Sequence, residues 1–241
     1  MLGIDPALTH PWRVSLAEAD AIQRTLAEHV RLAPLPATGA HAPCLAVGVD
    51  VAYALDGARA WAAAVAMEPG PGFAEVGCVV VDGEPDLPYR RGYLAFREGR
   101  LTIAALTELA AAIAPRSPDL VFLDGHGVVH ERGLGLASHV GVLLGMPTVG
   151  VPKTPFHAID HDPGPQRGDF YVLTKEWGAQ GASIRLKAAS KPVYVSPGNR
   201  VDLESAIALA LAWSSGRHRV PDPLAAAHTL ATCARNDGAR G

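Results

Sequence analysis

The chain has 241 residues, 49% hydrophobic and 19% charged, enough for one sizeable core and better suited to a single domain than to two small ones. A formal net charge of −3 and a pI of about 6.3 exclude a global basic field, so any nucleic-acid contact must come from local arginines and lysines. Cys44, Cys78 and Cys233 are scattered and odd in number, against a disulfide framework or zinc knuckle, and no apolar run reaches the roughly 18 residues of a spanning helix; a cytoplasmic protein with no membrane partner is expected.

Ser15-Leu16-Ala17-Glu18 reads as a capping box, and Ile22, Leu26 and Val30 follow at helical spacing, which predicts a helix over 16–31 that Pro34 and Pro36 stop. Over 45–53 the chain alternates, with Leu45, Val47, Val49, Val51 and Tyr53 on one face; the small residues opposite leave room around Asp50. Strands over 59–67 and 73–81, separated by Asp-Gly and Pro-Gly turn signals, complete an antiparallel meander. After the loop 82–91, the residues Leu101, Ala105, Leu109, Ala112 and Ile113 mark a helix face that Pro115 ends, and a strand follows over 120–124.

A short helix over 136–144 and a buried strand over 148–151 make a strand, helix, strand unit that favours parallel pairing. Later strands are expected over 183–187 and 193–196. Asp202 is a plausible cap for a helix carrying Leu203, Ala206, Ile207, Ala210 and Leu211, with Gly216 its stop. Residues 157–169 and the last dozen are polar or contain Gly and Pro, and are expected to be mobile. The order of elements is that of an α/β, ribonuclease H-like fold: one domain over 1–241 with its core over about 12–228, a mobile C-terminal tail, and a central mixed sheet flanked by helices.

Three acids stand out. Asp124 follows the apolar run Leu120-Val121-Phe122-Leu123 and precedes Gly125-His126-Gly127; Asp50 interrupts the strand at Gly48-Val49-Asp50-Val51; Glu98 closes Tyr93-Leu94-Ala95-Phe96-Arg97-Glu98, just ahead of a helical pattern. Singly, each has an ordinary structural role at a strand face, a turn or a helix start. Together they are the hard oxygen donors a divalent ion needs, and clustered acids repel one another unless a cation balances them. His126, His130 and His139 lie in or near the Asp124 loop, where an imidazole can hold a phosphate or pass a proton, although most such histidines are surface or cap residues. Lys153 follows Val149-Gly150-Val151, and Pro88-Tyr89-Arg90-Arg91 sets a ring and two cations on a proline-stiffened loop able to stack on bases.

These segments together resemble the endonuclease V family, from about Trp12 to His228. The resemblance is densest at Gly48-Val49-Asp50, Pro88-Tyr89, Gly92 to Glu98, Asp124-Gly125, His130-Glu131-Arg132, Gly135 to His139, Gly150 to Lys153, Ser196-Pro197-Gly198 and Arg219 to Pro223. It implies a nuclease of DNA repair, with Asp50, Glu98 and Asp124 around Mg²⁺ and Mn²⁺ as a substitute. The expected substrate is DNA containing deoxyinosine, cut at the second phosphodiester on the 3′ side of the lesion, by a monomer. Pro88, Tyr89, Arg90 and Arg91 would form a wedge filling the gap left by an everted base. Gly92, Leu94, Gly125, Gly127, Ser138 and Gly150 would belong to or support the base pocket, and His130 and Lys153 would lie near metal and phosphate.

The chain departs from the family's pattern twice. Arg91 stands where a second proline commonly ends the wedge, which is expected to loosen the loop while adding a phosphate contact. Asn199 follows Ser-Pro-Gly where histidine is common; counted among the catalytic positions, it cannot exchange a proton near neutral pH, so reduced turnover or altered metal dependence is expected. The residues leave open an endoribonuclease of inosine-containing RNA, a protein that binds inosine sites with weak cleavage, and a metal-dependent hydrolase of small phosphate esters.

Overall fold

The computed structural model describes residues 3–156, 162–174 and 180–238. Its centre is one eight-stranded sheet. The meander is β1 (Ala46–Tyr53), β2 (Ala60–Glu68) and β3 (Ala74–Gly83), paired antiparallel as the turn signals predict. On the other side of β1 lie β4 (Leu120–Leu123) and β5 (Thr148–Gly150), both parallel to it, and then β8 (Val193–Asn199), β7 (Gln180–Ile184) and β6 (Phe170–Thr174), so that the order is β3-β2-β1-β4-β5-β8-β7-β6. This is the mixed α/β arrangement read from the sequence.

Helices cover both faces. On one lie α1 (Leu16–Ala27), α2 (Leu94–Ala112) and α3 (Leu136–Leu144), joined to the sheet by a core that includes Leu101, Leu106, Leu109, Leu123, Leu134 and Val140. On the other lie α4 (Leu203–Ala212) and α5 (Asp222–Gly238), with Leu120, Phe122, Ile184, Leu209, Trp213 and Leu224 between them and the strands. The caps are those expected: Ser15 and Glu18 form the reciprocal box of α1, and Asp202 accepts from the Ser205 amide at 2.8 Å to start α4. α1 stops at Ala27, four residues short of Arg31, and α4 ends at Ala212, ahead of Gly216.

Three expectations are corrected. Of the last dozen residues, those through Gly238 belong to α5, whose Ala227 and Ala231, both fully buried, fit the small-residue face of β1 and β2; residues 239–241 lie outside the described residues. The small-residue face of β1 is closed at Gly48, where a Cβ would lie 2.1 Å from the Pro223 carbonyl carbon, and stays open at Asp50. Of the segment 157–169, residues 157–161 lie outside the described residues, whereas 162–169 are tied to the end of β7 by Gly168 N–H to the Arg185 carbonyl at 2.8 Å and Arg185 Nε to the Gly164 carbonyl at 2.5 Å. Finally, α2 begins at Leu94 rather than near Leu101, which puts Glu98 inside its second turn with 8% of its surface exposed.

Candidate active site

The parallel register of β1 and β4 creates the site. Val49 pairs with Leu123, so the next residue on each strand, Asp50 and Asp124, stands at the mouth of the sheet on neighbouring strands, roughly 4.8 Å apart in strand spacing. Glu98 reaches them from α2, fixed by the Tyr53 hydroxyl, which donates to its Oε1 at 2.7 Å. Burial pushes the Glu98 carboxyl up to about 8; the Tyr53 hydrogen bond opposes this, and the charges of Asp50 and Asp124 add to it. That mutual repulsion is the electrostatic signature of acids gathered in one place. Burial likewise raises Asp124 and the tyrosine hydroxyl, the latter with help from Glu98.

Two further side chains face the acids. Lys153 Nζ lies 2.5 Å from Asp124 Oδ2, and His228 Nδ1 lies 2.5 Å from Asp50 Oδ2. Burial acts to lower the lysine, but the adjacent Asp124 outweighs it and holds the ammonium above its ordinary range. Arg97 stacks 4.1 Å over the Tyr53 ring and draws Glu98 down. Among the described residues, no three His, Cys, Asp or Glu side chains form a ready ligand cluster, and two of the acids are engaged by Lys153 and His228. The donor chemistry nevertheless fits a hard divalent ion: three carboxylates, no thiolate, and a buried Glu98 whose repulsion a cation would relieve.

A cleft of about 500 Å³ opens above the acids, lined by Asp50, Glu98, Asp124 and Lys153 and bordered by Tyr89, Arg90, Arg91, Gly92, Leu94, Gly125, His126 and Phe156. Pro88 to Arg91 are exposed, and Tyr89, itself 69% exposed, stands with Arg90 and Arg91 at its rim. Arg91 lies 5.1 Å over the Phe156 ring, a cation–π contact in place of the freedom expected of that position. Behind Phe156 a second cavity of about 40 Å³, walled by Gln23, Gly92, Leu94, Ala95, His126, His130, Gly135, Leu136 and Phe156, shares residues with the cleft. It is mostly apolar and too small for a purine unless Phe156 moves.

Gly92, Leu94 and Gly125 border the cleft, and Gly92 and Leu94 also wall the smaller cavity. Gly127 and Gly150 stand one layer behind, where close backbone contact demands glycine: a Cβ would lie 1.9 Å from the Pro197 carbonyl oxygen at Gly127 and 2.2 Å from the Gly125 carbonyl oxygen at Gly150. Ser196 supports the same loop, its hydroxyl accepting from the amides of Gly127 and Val129, both at 3.0 Å.

Three expected site residues are placed otherwise. His130 walls the small cavity: its Nδ1 accepts from the Arg132 amide at 3.2 Å and its Nε2 donates to the Gly92 carbonyl at 3.0 Å, and burial, with Arg132 nearby, drives it down to about 3. It is a neutral positioning ring. Ser138 is fully buried and donates to the Gly198 carbonyl at 2.9 Å, joining α3 to β8. Asn199 does not reach the cleft: its Oδ1 accepts from the Arg31 amide at 3.0 Å, and its Nδ2 donates to the carbonyls of Gly141 at 2.9 Å and Met146 at 3.3 Å. All its polar atoms are spent on holding the chain after α1 against α3 and β8. His139 is also buried, stacked on Trp12 with ring centres 5.4 Å apart.

Sequence reasoning overlooked His228 as a site residue, along with Tyr53 and Phe156. The signal for His228 was present: Leu224, Ala227 and Ala231 recur at helical spacing and would have placed it on a packed helix.

The family model described as Endonuclease V matches residues 24–229. An endonuclease V of Roseiflexus sp. (strain RS-1) is 38% identical over 233 residues, 96% of this chain and 99% of the relative. The crystal structure of an endonuclease V from Streptomyces avermitilis superposes with a TM-score of 0.82 at 38% identity, covering 95% of this chain and 96% of that one. Ciona intestinalis endonuclease V, solved in complex with a 24mer DNA containing an inosine followed by a ribo-adenosine, shares the fold with a TM-score of 0.80 at 24% identity, over 92% of this chain and 98% of that one.

Proposed function

The chain belongs to the endonuclease V family of nucleases, and on that premise we propose that it cuts inosine-containing DNA at the second phosphodiester 3′ to the lesion, in repair of deaminated adenine. The observation that carries this reading is the side-by-side placement of Asp50 and Asp124 by the β1 and β4 register, with buried Glu98 behind them. These three acids would hold Mg²⁺, or Mn²⁺ in its place, which when bound supplies charge neutralisation at the phosphate and a more acidic water.

The chain's own groups divide the remaining work. Lys153, already against Asp124, would meet a phosphate oxygen at the cleft floor, and His228, against Asp50, would hold that carboxylate in one orientation. Tyr89, exposed at the rim, would fill the gap in the stack as the altered base enters the space behind Phe156, where Gly92, Leu94 and His130 would enclose it. A small phosphate ester has no stack to fill, so the exposed wedge favours a polymer substrate.

Labelled oligonucleotides, identical but for inosine or adenine, test this in Mg²⁺. Selective cutting of the inosine strand that Asp124→Asn abolishes is expected; equal cutting of both, or cutting indifferent to that substitution, rejects it. The same pair with inosine in RNA decides the polymer.

A further inference from the structure

The loop between β3 and α2 is held at both ends, with Tyr89 exposed at its tip. At its start, the Asp86 side chain is only 5% exposed yet lies between two guanidinium groups: Arg13 Nε reaches Oδ1 at 3.3 Å and Arg100 Nε reaches Oδ2 at 2.6 Å. Arg13 also meets Glu84 Oε2 at 3.1 Å, Arg100 donates to the Glu84 carbonyl at 2.9 Å, and Arg97 donates to the Leu87 carbonyl at 3.1 Å. At its end, the Gly92 carbonyl accepts from Gln23 at 3.1 Å, His130 at 3.0 Å and Arg132 at 2.8 Å.

We propose that Asp86 is a positioning residue for duplex opening, locking the base of this loop to α2 and to the amino-terminal segment so that the Tyr89 tip stands preformed above the acids. The inference rests on the wedge reading given under Proposed function. Its physical basis is threefold. A tip that enters a base stack works against stacking, and a loop ordered beforehand does not lose further conformational freedom on binding. With Arg91 rather than a ring-locked residue at the end of the tip, stiffness has to come from outside the loop. The outside supports are rigid: Arg97 and Arg100 flank Glu98 on α2, so the tip and one of the acids share a single helix, and Arg13 follows Trp12, whose ring fills the space over Gly99. A nearly buried carboxylate that loses one of two cations keeps its burial without its compensation, so each contact supports the other.

The test compares cutting of an inosine-containing duplex with cutting of the same strand alone, using the full chain with Mg²⁺. Asp86→Asn is expected to slow the duplex reaction by about tenfold while single-strand cutting stays within about twofold, Arg13→Ala to slow the duplex reaction by about threefold, and Tyr89→Ala to lower the ratio of duplex to single-strand cutting by about tenfold. Arg13 is exposed, so that variant carries the proposal alone should Asp86→Asn fail to fold. If Tyr89→Ala shifts the duplex-to-strand ratio and neither clamp variant does, or if the clamp variants slow both substrates alike, the clamp is overturned and the wedge stands. If Tyr89→Ala leaves the ratio unchanged, the wedge reading itself falls.

Discussion

His228 Nδ1 stands 2.5 Å from Asp50 Oδ2, so an imidazole on the last helix completes a site begun on the first strand, 178 residues earlier. Side chains that orient a ligand carboxylate commonly account for about 10–100-fold in activity or metal affinity when removed. His228→Ala should therefore lower single-turnover cleavage within that range. The ring is half exposed, so the melting temperature should hardly change. Unchanged cleavage across a magnesium titration would exclude the imidazole from the site.

Glu98 gives a pH dependence with a definite sign. Its folded-state value of about 8 lies above the 4.5 of an ordinary glutamate. The contribution of this group to stability is thus complete below about pH 4.5 and is lost as pH rises through about pH 8. Glu98→Gln keeps an acceptor for the Tyr53 hydroxyl and removes the titration. In chelator, the variant should become progressively more stable than the parent over that window, by on the order of a few kcal/mol at its upper end, while losing cleavage. Melting curves that run parallel in pH for the two proteins would contradict the raised carboxyl.

Asn199 makes a contrasting case. Introducing histidine there breaks hydrogen bonds to the Gly141 and Met146 carbonyls and from the Arg31 amide. The expected result for Asn199→His is a loss of about 1–3 kcal/mol in denaturant titration, with the rate per folded molecule unchanged at every Mg²⁺ concentration. A faster enzyme would return this position to the chemistry.

Much of this site was legible because charge in the wrong place is conspicuous. Asp50 and Asp124 interrupt or end apolar strands; the strand, helix, strand order pointed to the parallel pairing of β4 with β5, whereas the β1 to β4 register that joins the two acids is set by the tertiary fold. The bounds of α3, Leu136–Leu144, were read from sequence without error, since an apolar helix closed by left-handed Gly145 announces both ends. Elsewhere the deciding forces are tertiary. The start of α2 was hidden because Phe96, Glu98 and Gly99 are all buried and blur its stripe. β6 was missed because Phe170, Tyr171 and Val172 are all exposed at the sheet edge, leaving no alternation to detect. α5 owes its place to Pro223 and Leu224 packed on Gly48 and to the burial of Ala227 and Ala231; helical spacing signals the helix, but not its seat on a strand at the other end of the chain.

The approach of Pro223 to Gly48 also makes α5 a ruler. With Pro223 pinned against β1, the helical step from there to His228 meters where the imidazole falls around the axis. One alanine inserted between them would rotate the ring by about 100° and advance it by about 1.5 Å. Asp50 would then face solvent or a methyl group, with every catalytic residue still present in the sequence.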